Sequence, residues 1–174
     1  GYKHCGCRYE DPVQEALSHV SYEWTRARIG DASRRFLRAL PFRLDVRAAG
    51  GHQAGAQLIL VHGTPALNTV YWAEDRPDDF AREMGRRAGG READILAFGH
   101  THRPWHRIVD GIHFVNAGSV GRPKDGDWRA CYAAITMNEG STDAAFLRVE
   151  YDLERAVSGI RRSELPEEFA TMLR

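Results

Sequence analysis

Cysteine is scarce in this sequence of 174 residues: Cys5, Cys7 and Cys131 are too few and too unevenly placed for a disulfide framework. Such usage suits a reducing compartment, and a cytoplasmic location is expected. Net charge is missing as well, because 24 basic side chains face 24 acidic ones. No overall field draws the chain to a polyanion, so no strong nucleic-acid binding is expected beyond a local patch. Long apolar runs are also absent. The longest, around Leu58 to Val61, ends in a histidine, far short of the roughly 18–20 residues of a bilayer-crossing helix. No membrane association is expected. Repeats, low-complexity tracts and linkers are lacking too, and the opening residues do not read as a signal peptide.

What remains has the composition of a folded protein, 43% hydrophobic and 28% charged, at a length that fits one domain over 1–174 and no second. After Asp11, a helix-capping residue, Val13, Leu17, Val20, Trp24 and Ala27 recur at steps of four and three, which predicts an amphipathic helix ending near Gly30. A second short helix runs from Asp31 to a stop at Pro41. Phe42, Leu44 and Val46 alternate with charged residues, the pattern of a half-buried strand. LILV at 58–61 and the apolar run within 93–98 predict strands buried on both faces. Between them a helix is expected from about Pro77 to Ala88, with Phe80 and Met84 inward. Asp110-Gly111 marks a type I′ hairpin, and Asn138-Glu139-Gly140 a second one. The C-terminal stretch reads as helices broken at Pro166.

The chemistry concentrates in histidine. Of eight, three stand at the ends of buried strands: His62, His100 and His102. Ligands of open α/β sheets gather beyond the carboxyl ends of strands. In an extended backbone residues two apart point to one side, so His100 and His102 can reach one cavity, and imidazole is a common ligand for Mn, Fe, Ni and Zn ions. A lone strand-end histidine is commonly a hydrogen-bonded turn residue; two strands that both end in histidine point to a metal. His19, His52, His106 and His113 read as structural or solvated. Arg122 and Lys124, in the Gly-rich loop after Asn116, can meet a substrate phosphate or simply be solvated. Tyr71 and Trp72 read as packing residues. His4 with Cys5-Gly6-Cys7 falls short of the four ligands of a zinc site.

LILVHG, FGHTH and VNAGSVGRPKDGD, in this order and spacing, resemble the C-terminal portion of calcineurin-like metallophosphoesterases, particularly a small bacterial and archaeal phosphodiesterase branch, over most of residues 5–150. The resemblance implies an α/β (α+β) fold, a four-layer αββα sandwich, and two divalent ions (Mn, Fe, Ni or Zn) in the complete protein. His62 and His100 would serve one ion and His102 the other, with no catalytic residue beyond these ligands. Asn116, Arg122 and Lys124 would contact a small phosphoester or nucleotide substrate. The implied activity is phosphoester hydrolysis, of a diester in the family branch named, by a dinuclear-metal-activated hydroxide.

The family's Asp-x-His, Gly-Asp and Gly-Asn-His/Tyr-Asp motifs do not occur in residues 1–57, and YKHCGCRYEDP resembles the family's segment just after the last of these motifs. The first strand-helix units are thus expected to be absent from this sequence. Electrostatics points the same way: two dications ~3.5–4 Å apart need bridging negative charge, and three neutral imidazoles supply none. Glu74, Asp75, Asp94 and Asp125 show no strand-end placement that would serve. The chain alone is expected to be inactive, to form a homo-oligomer, or to pair with the missing N-terminal portion. The alternative is a non-catalytic interaction scaffold of the same fold.

Overall fold

A computed structural model describes residues 6–7, 9, 11–47, 56–138 and 141–174. The loop at 48–55, the tip of the second hairpin at Glu139-Gly140, and His4 and Cys5 of the Cys-rich start lie outside the described residues. The chain divides into two compact units, one of residues 1–41 with 152–174 and the other of residues 42–151.

In the first unit α1 (Pro12–Arg28) begins where the Asp11 carboxylate accepts from the Val13 N–H, and Pro12 occupies a position that needs no donor. After a break at Ile29 and Gly30, α2 (Asp31–Ala39) follows. No residue of either helix is buried, and Phe36 remains 65% exposed. The apolar stripe of α1 therefore sets the helix but not its burial, which takes a partner surface. Asp152 caps α4 (Leu153–Arg161) through the Arg155 N–H, and Pro166 separates it from α5 (Glu167–Thr171).

The second unit is built on a five-stranded sheet in the order β1-β2-β3-β5-β4. Its strands are β1 (Arg43–Arg47), β2 (Gln57–Val61), β3 (Ile95–Phe98), β4 (Trp105–Val109) and β5 (Ile112–Asn116). The central β2, β3 and β5 are parallel, while β1 and β4 pair antiparallel at the edges. Helix α3 (Asp78–Ala88) packs Met84 and Ala88 on one face, with Trp72 stacked on Phe98 at 4.4 Å and in contact with Phe114. Trp72 is a packing residue, as expected. The opposite face, Ile95, Ala97 and Val115, is covered by Ala133, Ile135, Ala144 and Phe146 of the hairpin β6 (Ala130–Asn138) and β7 (Ser141–Val149). Helix, sheet and second sheet thus lie in layers within this unit, a mixed α/β arrangement. All four residues of β3 are buried because neighbours flank it on both edges and both faces.

Asp110 and Gly111 both have positive φ, +48° and +76°, as the expected type I′ turn demands. Strand β1 forms where the alternation placed it, yet Phe42, Leu44 and Val46 are about half exposed. As an edge strand, β1 has a neighbour on one side only, so alternation supplies the pairing without the burial.

Candidate functional site

Because β2 and β3 are parallel neighbours, the chain leaves both at the same end of the sheet. The Gly99 N–H donates to the His62 carbonyl at 2.9 Å, fastening one exit to the other. After His62 the backbone turns so tightly that a Cβ on Gly63 would stand 2.6 Å from the Asn68 carbonyl oxygen. Buried Thr64 closes this turn, accepting from the Leu67 N–H and donating to the Leu67 carbonyl. The result brings His62 Nε2 to 3.1 Å from His100 Nδ1, with the rings edge to face. Tyr71 stacks on the other side of His100, ring centroids 4.2 Å apart.

Beyond β3 the backbone is not extended. His100 and His102 take positive φ, +68° and +63°, where a side chain with a Cβ is strained by about 1–3 kcal/mol per residue. Surrounding bonds hold them there. The fully buried Asn116 amide donates to the Gly99 carbonyl and to Thr101 Oγ1, both at 2.9 Å, and accepts from the Gly118 N–H. Asn116, expected among the substrate contacts, thus stands beneath the site with its amide engaged. His102 Nδ1 donates to the Arg122 carbonyl at 2.7 Å, and the His102 carbonyl accepts from the Lys124 N–H at 3.0 Å. The acceptor being a carbonyl, the proton of neutral His102 sits on Nδ1 and its Nε2 keeps a lone pair.

Burial, followed by the proximity of His62, lowers the His100 pKa; burial also leads in lowering that of His102. Both rings are held toward the neutral, ligating form. Partial burial, then the charges of Arg122 and Arg103, lower the pKa of Lys124, and burial lowers that of Arg122. Arg103, whose charge reaches Lys124, was not singled out in the sequence. It directly follows the GHTH run, which was the available signal.

The donor set suits a divalent metal in kind. Half-buried His100 sits against the Thr69 backbone, which opposes the lowering of its pKa, and the His102 bond to the Arg122 carbonyl is the outer contact that orients a ligating imidazole. In number the set falls short. Among the described residues no three His, Cys, Asp or Glu side chains gather as a metal-holding group. Two acids of this unit are engaged away from the histidines: Asp94 is buried at the far end of β3, accepting from the Gln57 and Arg91 N–H groups, and Asp125 pairs with Arg148. These histidines fit part of a metal centre and do not by themselves hold two ions.

A second histidine pair lies elsewhere in the unit. His106 Nε2 and His113 Nδ1 are 3.0 Å apart on β4 and β5, with their rings stacked. His113 is buried, in keeping with a structural role.

Among the described residues no helix is long and apolar enough to cross a membrane. An uncharacterized protein of Methanocaldococcus jannaschii is 27% identical over 165 residues, covering 85% of this chain and 61% of the relative. The chain therefore spans about three-fifths of that relative's length. A metallophosphoesterase from Sphaerobacter thermophilus is 25% identical with a TM-score of 0.67, covering 95% of this chain and 70% of that one. A hypothetical protein from Pyrococcus horikoshii shares the fold at a TM-score of 0.72 and 22% identity, over 99% of this chain and 66% of that one. The model of the calcineurin-like phosphoesterase superfamily domain matches residues 29–140, more than half of the sequence. By that match the chain belongs to the calcineurin-like phosphoesterase superfamily.

Proposed function

We propose that this chain carries the histidine side of a metal-dependent phosphoesterase site, acting on a phosphodiester in a small phosphoester or nucleotide. The observation that carries the reading is the His62–His100 contact at the exits of two parallel strands, with His102 turned by the Arg122 carbonyl beside it. His62 and His100 would hold one ion and His102 a second, drawn from Mn, Fe, Ni or Zn. When bound, such ions supply the charge that polarises a phosphoryl group and lowers the pKa of water. Burial holds His100 and His102 toward the neutral form, and Arg122 and Lys124 offer cations to the phosphate oxygens. Asn116 acts as a positioning residue through the loop at 99–101 and 118.

The missing negative charge would come from carboxylates outside this sequence, on the same protein or on a second chain. The 174 residues alone would be inactive as a single domain of the family, and the uncovered Phe42, Leu44 and Val46 favour self-association. A second reading, a non-catalytic scaffold, is favoured by one observation: Asp94 and Asp125 are committed away from the histidines.

The test is hydrolysis of an aryl phosphodiester by the protein in its full genomic length, with each of the four metals supplied. Turnover with at least one of them is expected. No turnover with any, in a folded sample, contradicts the enzyme and leaves the scaffold.

A further inference from the structure

Arginine in the second unit is ordinarily matched. Arg43, Arg82, Arg107, Arg129 and Arg148 each hold a carboxylate, Asp45, Asp110, Asp78, Asp127 and Asp125 respectively. Arg76, which reaches the Tyr71 carbonyl and lies over the Phe80 ring, is one exception, and the cations beside the histidines are others. Among the described residues no carboxylate pairs with the side chain of Arg103, Arg122 or Lys124. Their charges lie near enough to be felt, for Arg122 and Arg103 both act on Lys124.

Like charges left unmatched at one place cost stability, and they persist there for a reason when the backbone is built to hold them. Here all three backbones are fastened. The Arg103 N–H donates to Thr101 Oγ1 at 3.3 Å, and that hydroxyl is itself fixed by buried Asn116. The Arg122 N–H donates to Ser119 Oγ at 3.0 Å, while its carbonyl takes the His102 bond. The Lys124 N–H is bonded to the His102 carbonyl. Two loops, 101–103 and 122–124, are thereby clipped together through His102, the first carrying Arg103 and the second Arg122 and Lys124.

A phosphodiester carries a single negative charge, which would leave most of this positive charge unanswered. Two adjacent phosphoryl groups carry enough to answer it, and guanidinium groups bind such oxygens in pairs. We propose that Arg103, Arg122 and Lys124 form an anion clamp that selects substrates carrying a second phosphoryl group next to the one hydrolysed, with Arg103 as its specificity-determining residue. This rests on the phosphoesterase reading, since it assigns the substrate class of the same site.

The clamp is tested by binding, apart from turnover. The chain, treated with chelator and desalted, is titrated calorimetrically with inorganic phosphate and with inorganic pyrophosphate. Pyrophosphate is expected to bind about tenfold or more tightly than phosphate, and Arg103→Gln to remove about tenfold of that affinity while changing phosphate little. Arg103→Lys should keep part of the preference, and Arg86→Gln, on the solvent side of α3, should change nothing. Circular dichroism establishes that each variant is folded, and Lys124→Gln provides a second test through an exposed side chain. Equal affinity for the two anions, no binding of either, or the same loss from Arg103→Gln as from Arg86→Gln would overturn the clamp. Pyrophosphate preference with no hydrolysis of either an aryl phosphodiester or a diester of pyrophosphate by the full-length protein would overturn the enzyme reading instead, and turnover without the preference would overturn the clamp alone.

Discussion

Two histidine pairs occupy this molecule at nearly the same spacing, His62 with His100 at 3.1 Å and His106 with His113 at 3.0 Å, yet their backbone and charge settings differ. The first pair sits where parallel strands end, on backbone with positive φ at His100 and beside unmatched cations. The second sits on the regular ladder of β4 and β5, two positions out of register, within the strands themselves. Proximity of imidazoles is therefore not what marks a site. Strain and unanswered charge are.

The comparison predicts opposite responses to mutation. The largest stability effect should come from the floor of the strand-end site. Asn116→Ala leaves the Gly99 carbonyl and the Gly118 N–H unmatched and should cost about 3 kcal/mol, read as a lowered urea midpoint. A midpoint unchanged within error would show that Asn116 does not hold the strained loop. His113→Ala, in the interior pair, should cost about 2 kcal/mol through lost packing and an unpaired His106 nitrogen. Replacing both members by leucine should recover part of that loss, because no orphaned nitrogen remains. A double variant worse than the sum of the singles would contradict this.

Acid acts on the interior pair in the same direction as on His100 and His102. Burial lowers the pKa of both His106 and His113, with His106 further lowering His113 and Asp143 on β7 opposing the shift of His106. In the unfolded chain each takes up a proton first as pH falls, so the stability they contribute is present above about pH 6.5 and declines below it. The decline is at most about 1.4 kcal/mol per pH unit for each proton. Urea midpoints from pH 7.5 to 5 should fall, and the double leucine variant should fall less. An identical slope would place the acid sensitivity elsewhere. The smallest effect should come from His62→Ala, which removes an exposed side chain and should change stability by no more than about 0.5 kcal/mol.

How far the sequence alone carries this picture depends on the range of the forces involved. Asp11 at a helix start, Asp110-Gly111 at a turn and the LILV run are local signals, and each forms the element it announces. Two apolar strands that both end in histidine pointed to one end of the sheet, and only the family resemblance put His62 with His100, whose rings are found in contact. The exposure of Phe42, Leu44 and Val46 did not follow, since an alternating pattern does not say whether a second layer covers it. Nor did the left-handed backbone at His100 and His102. That conformation is imposed by the Asn116 amide, from a later strand of the chain, and an extended reading of GHTH was its natural alternative. The His106–His113 pair was within reach: a two-residue turn at Asp110-Gly111 puts His113 opposite Ile108, one diagonal step from His106 on the same face.

The claim that the strand-end pair is the functional one is tested most directly by exchanging the damage. In the full-length protein, His62→Ala with His100→Ala and, separately, His106→Leu with His113→Leu would be assayed for bound metal and for aryl phosphodiester hydrolysis under identical conditions. The first double variant should stay folded while losing metal and at least about a hundredfold of turnover, an effect of the size expected for a lost ligand set. The second should keep both. Retained metal and turnover in the first variant, or their loss from a folded second variant, would contradict the claim.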